Sequence, residues 1–154
     1  MGGEREFFLG IDPGGSGSLA VIDRAGILVD VTSMPETMKD ISDYLAEFGP
    51  RIKMGVIEAV HSMPDQGVAS SFTFGQNVGA LHMGLVAHGI PFEFVQPRAW
   101  QQPLGLIRVS KEETITQKKN RHKARAQELF PSKKVIHAIA DGLLLAEHCR
   151  RKHG

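Results

Sequence analysis

The stretch Met54 to Glu58 constrains the fold more than any other part of the chain. An apolar run enters a glutamate directly, without the alternation of a half-exposed strand. Such a strand is covered on both faces, and parallel strands between layers of helices are the usual place for one. An α/β domain is therefore expected around it. Ahead of it, apolar Phe7 to Ile11 ends at Asp12-Pro13-Gly14-Gly15-Ser16-Gly17, and Ser18 to Asp23 resumes an extended pattern. Arg24-Ala25-Gly26 supplies a second turn before Ile27 to Ser33, so three strands of an antiparallel meander open the fold.

Helical spacing of Met38, Ile41, Leu45 and Phe48 predicts a helix over Thr37 to Phe48, ended by Gly49-Pro50. After a loop at Ser62 to Val68, a long helix is expected from Ser70 to His88, with Gly75, Gly79 and Gly84 thinning one face. Phe92 to Gln96 reads as a strand closed by Pro97, and Arg98 to Val109 as a short helix and loop. Ser110 to Phe130 reads as one basic helix, with Ser110 and Glu113 as a capping box and Pro131 as its stop. His137 to Arg150 closes the chain as an apolar helix. The expected order is βββαβαβαα, a mixed five-stranded sheet flanked by helices. At 154 residues this is one domain, 1–154.

Formal net charge is +1, too small to demand a polyanionic partner, but its distribution is uneven. Between Arg108 and Arg125 seven cations, among them Lys111, Lys118, Lys119, Arg121, Lys123 and Arg125, face only Glu112 and Glu113. A basic side of this kind suits contact with phosphates, although a solvated helix face would look the same. The single cysteine, Cys149, has no partner for a disulfide or a thiolate metal site, which fits a reducing interior. No run of eighteen apolar residues and no basic-then-apolar leader appear, so neither membrane insertion nor secretion is expected.

Two acids follow apolar strands: Asp12 after the first and Glu58 after the fourth. A carboxylate half-buried at a strand end is costly unless it is paired or binds a cation. Asp141 interrupts the apolar face of the last helix, and His137, four residues earlier, shares its side. Taken singly, Asp12 can start a turn, Glu58 can end a strand and His137 can serve a helix start. Three acids at these places form a pattern that turn chemistry does not produce. If they converge, hard oxygen ligands suit Mg²⁺ or Mn²⁺, two ions per site, as in phosphodiester hydrolysis.

The segments FFLGIDPGGSGSLAVID, VIEAVHSMPDQG, SSFTFGQNVGALHMGL, PRAWQQPLGL and HAIADGLLLAEHC resemble, in this order, the RuvC-type Holliday junction resolvases, and in length and closing motif their bacteriophage members. The resemblance implies a ribonuclease H-like fold, a homodimer, and paired symmetric nicks in a four-way DNA junction with Mg²⁺ or Mn²⁺. By position, Asp12, Glu58 and Asp141 match the family's acids. The remaining family position, three before the last acid, is Ala138 here, and His137 stands four before. The resemblance thus implies His137 as a ligand or as the group that protonates the leaving oxygen. Where bacterial members carry an aromatic residue after the second acid, this chain has His61, and Phe72 or Phe74 could stack on DNA instead. The family's dimer interface would fall on the helix 70–88, and the setting would be the cytoplasm of a bacterial or phage-infected cell.

Other readings compete. An actin-like or sugar-kinase-like domain opens with a similar strand, aspartate and glycine turn, but it needs a second such domain. A non-catalytic DNA-binding module would be expected to have lost one of the acids. Nucleases of this fold acting on flaps or other branched nucleic acids share the carboxylates, which report the reaction and not the shape of the substrate.

Overall fold

The computed structural model describes residues 3–61, 65–108 and 110–154. The loop expected at 62–68 and the segment 98–109 are therefore described in part, with Ser62, Met63, Pro64 and Val109 outside the described residues. Among the described residues, five strands, β1 (Phe7–Asp12), β2 (Ser18–Ile22), β3 (Leu28–Ser33), β4 (Ile52–Glu58) and β5 (Phe92–Val95), lie in the order β3-β2-β1-β4-β5. The meander β1-β2-β3 is antiparallel, whereas β4 runs parallel to both β1 and β5. β1 and β4 are thus interior strands: Phe7 to Ile11 and Gly55 to Ile57 are buried on both faces and apolar, and only the entry of β4 at Lys53 is exposed.

Side chains alternate across the sheet and build two cores. Phe7, Leu9 and Ile11 of β1 join Ile57 beneath α1 (Met38–Phe48) and α2 (Val68–Ala87) through Ile41, Leu45, Leu81 and Leu85. Phe8 and Val56 point the other way, into a core with α3 (Pro97–Gln101), α4 (Ile115–Leu129) and α5 (His137–His153). The mixed five-stranded sheet between helices is the architecture expected. The short helix expected within 98–109 is α3, which the order βββαβαβαα does not count. Among the described residues no helix is long and apolar enough to cross a membrane.

One boundary is a correction. The basic helix starts at Ile115, not Ser110, and its cap is Thr114, whose Oγ1 accepts the Gln117 N–H at 3.1 Å while Gln117 Oε1 accepts the Thr114 N–H at 2.9 Å. Two capping patterns overlap in this sequence, and a tertiary pair selects the second. The Glu113 carboxylate is drawn to Arg121, from which it accepts two hydrogen bonds at 2.8 and 2.9 Å, rather than back to Ser110. Ser110 instead accepts the Glu112 N–H within a turn. The three glycines of α2 also divide: Leu45 of α1 occupies the space where a Gly84 Cβ would lie, at 2.7 Å, while Gly75 and Gly79 have nothing within 4 Å.

Candidate active site

The site begins with strand register. Ile11 pairs with Ile57 across the parallel β1–β4 ladder, so Asp12 and Glu58 are the next residues on adjacent strands. By alternation they leave the sheet on the side of Phe8 and Val56, the side covered by α5. Asp141 descends from α5 onto the same place. That helix lies unusually close because β1 offers it a glycine: a Cβ on Gly10 would stand 2.2 Å from the Ala146 nitrogen and 2.4 Å from the Gly142 oxygen. Gly142 reciprocates, donating its N–H to Ser18 Oγ at 3.1 Å in the buried layer. Backbone rests on backbone, and a short aspartate side chain can then reach the strand ends.

The three carboxylates repel one another. Burial, followed by the charges of Asp141 and Glu58, pushes Asp12 up to about 8. Burial also raises Glu58, with Asp141 adding to the rise, although the Trp100 N–H, Lys118 and His122 work against it. Asp12 and Asp141 line a cleft of about 780 Å³ with the glycine loop, Phe74, Lys118, Lys119, His122 and His137. Glu58 is outside that wall, held by Trp100 Nε1, which donates to its Oε2 at 2.6 Å.

Among the described residues, no three His, Cys, Asp or Glu side chains form a ready-made cage for one metal ion. The donor set nonetheless fits a hard divalent cation. Mg²⁺ keeps much of its water and is commonly held by one or two carboxylates plus substrate phosphate. Crowded acids that drive a proton onto Asp12 are relieved by the same positive charge.

His137 lines the cleft at the start of α5, one turn before Asp141, and its Nε2 lies 2.8 Å from Asn120 Oδ1 of α4. Of the basic residues, Lys118 and Lys119 stand at the cleft, and Lys111 is exposed. Lys123 is half-buried on α4. Arg121 and Arg125 are engaged inside the chain: Arg121 with Glu113 and the Leu106 carbonyl, Arg125 with the Leu104 carbonyl at 3.0 Å and Glu128. His61 is exposed, and Phe72 is exposed on α2. Phe74 lies against Gly14, whose φ of +103° suits glycine and whose N–H donates to Asn77 Oδ1 at 2.8 Å, tying the loop to α2.

Sequence reasoning passed over Trp100, His122, Asn77 and Asn120. For His122 a signal existed: with Ala126 and Phe130 it repeats every four residues, a buried stripe hidden within a run of cations.

Fold and site together define an α/β domain of ribonuclease H-like architecture with acids at the ends of its two central strands. Among the solved structures it resembles are two of RuvC from Thermus thermophilus. In complex with a Holliday junction substrate, that protein superposes with a TM-score of 0.66 at 17% identity, over 92% of this chain and 91% of that one. A second Thermus thermophilus RuvC structure gives 0.61 at 19% identity, over 92% of both chains. At these identities the likeness establishes the fold. No protein-family model and no curated protein sequence matches the chain.

Proposed function

We propose that the chain is a metal-dependent endonuclease that cuts four-way DNA junctions, with Asp12, Glu58 and Asp141 holding Mg²⁺ or Mn²⁺. The observation that carries this reading is the meeting of three mutually repelling carboxylates beside a lysine-lined cleft, in a fold shared with a protein solved on a Holliday junction. Divalent ions bound there would supply an activated water and neutralise charge on the leaving oxygen. Lys118 and Lys119 hold backbone phosphate over the acids, and Lys111 and Lys123 extend that track, contacts that position DNA without reading its sequence. His137 stands beside Asp141, where its ring, oriented by Asn120, either adds a nitrogen ligand or passes a proton to the leaving oxygen. His61 and Phe74, which lines the cleft, are the side chains offered to unpaired bases, while Phe72 belongs to an exposed stripe of α2.

A homodimer through α2 belongs to the same reading. Phe72, Gly75, Gly79, Met83 and Val86 follow one exposed helical stripe, with Phe72 at 68% and Met83 and Val86 at 61% exposure. Two sites related by a two-fold axis would meet two like strands of a junction, giving paired symmetric nicks.

The test incubates the protein and Mg²⁺ with labelled four-way, three-way, flapped and linear DNAs. Symmetric nicks at the four-way junction are expected. Asp12→Asn, Glu58→Gln and Asp141→Asn should each lower cleavage by about a hundredfold or more while junction binding persists. Full cleavage by any of the three overturns the assignment, and equal cutting of linear DNA overturns the junction preference.

A further inference from the structure

Two of the three carboxylates have one oxygen taken by a buried donor. Trp100 Nε1 donates to Glu58 Oε2 at 2.6 Å, and His122 Nδ1 lies 2.8 Å from Asp141 Oδ1. Neither donor is a surface residue: Trp100 is 0% and His122 3% exposed. Their rings meet edge to face, centroids 5.7 Å apart at 79°. One buried aromatic pair, drawn from α3 and α4, therefore spans two acids drawn from β4 and α5.

The chemistry of the donors is specific. An ionised carboxylate only accepts, so the His122 nitrogen facing Asp141 carries the proton. His122 Nε2, on the far side of the ring, is buried without a hydrogen-bond partner, so Asp141 is the ring's polar contact. Each ring offers its carboxylate one directed N–H, which fixes the orientation of the group through a single oxygen. The basic helix also clamps this pair. Arg121 and Arg125 hold the carbonyls of Leu106 and Leu104, just beyond α3, and so press the segment bearing Trp100 against the helix bearing His122.

We propose that Trp100 and His122 are positioning residues that each fix one oxygen of Glu58 and Asp141, leave the other free, and thereby set the site's affinity for a divalent cation. The proposal rests on the metal reading above. Partners that orient metal ligands change affinity by about ten- to a hundredfold when removed.

The experiment measures Mn²⁺ binding to the intact chain without DNA, from the electron paramagnetic resonance signal of free Mn²⁺. Wild type should bind. His122→Phe, which keeps a ring and loses the donor, and Trp100→Phe should bind about tenfold more weakly or worse. His122→Asn, whose amide N–H can take the place of Nδ1, should recover most of the affinity. In cleavage assays the same variants should need more Mg²⁺ for half-maximal rate and regain much of it at saturation. Folded His122→Phe and Trp100→Phe with unchanged Mn²⁺ affinity would overturn the proposal and leave the metal reading standing. Absence of Mn²⁺ binding by wild type would overturn both. Should the variants not fold, wild type still decides: Trp100 is the sole tryptophan, and its emission should shift on adding Mg²⁺. Unchanged emission in a protein that binds Mn²⁺ would sink the positioning role.

Discussion

Asp12 is where the electrostatic strain of the site collects. In the unfolded chain its carboxyl ionises near 3.8, and in the folded chain near 8, so between those values the folded state holds the extra proton. Stability then falls as pH rises across that window, and the raised Glu58 acts in the same direction. With chelator present, the melting temperature should drop from pH 5 to pH 8. Asp12→Asn should flatten that slope and stabilise the metal-free protein at pH 8 by about 1–3 kcal/mol. Mg²⁺ should raise the wild-type melting temperature at pH 8 and leave Asp12→Asn nearly unmoved; calorimetry reads all three. His137→Ala should slow cleavage by about a hundredfold, as loss of a proton donor or ligand requires. A single-turnover rate within twofold of wild type would remove His137 from the reading. The acids themselves were legible because each is a charge breaking an apolar run, and such a break is visible in one dimension. Trp100 and His122 were not, because a buried donor is defined by its acceptor, and theirs lie 42 and 19 residues away.

At the scale of elements, the decisive contact is α5 on β1. The atoms that a Gly10 Cβ would strike are helix backbone, which no rotamer change moves aside. Gly10→Ala should therefore cost about 3 kcal/mol or more and disturb Asp141 along with the fold, seen as a lower denaturant midpoint. Arg121→Ala should be milder, about 1–3 kcal/mol, because it leaves Glu113 and the Leu106 carbonyl without their shared partner. Hydrogen exchange after that substitution should quicken in residues 102–108. The strands and long helices could be read from periodicity to within a few residues. The start of α4 could not, since Ser110 and Thr114 each precede a glutamate or glutamine by three, and only the Glu113–Arg121 pair separates the two frames.

For the molecule as a whole, the exposed stripe of α2 carries the proposed two-fold contact. Met83→Glu places a charge in the middle of it, so sedimentation should show a dimer for wild type and a monomer for the variant, with junction cutting losing its symmetry before single nicking is lost. The chain order of strands and long helices, and the three acids that end or break apolar runs, follow from the sequence alone, because hydrophobic period is a local property; the spatial order β3-β2-β1-β4-β5 and the register that makes Asp12 and Glu58 neighbours belong to the tertiary structure. Which glycines face a neighbour, where the basic helix begins, and which side chains orient the carboxylates were decided only by tertiary structure. Those depend on contacts between segments far apart in the chain, and the affinity of a buried donor for its acceptor leaves no periodic trace in either one.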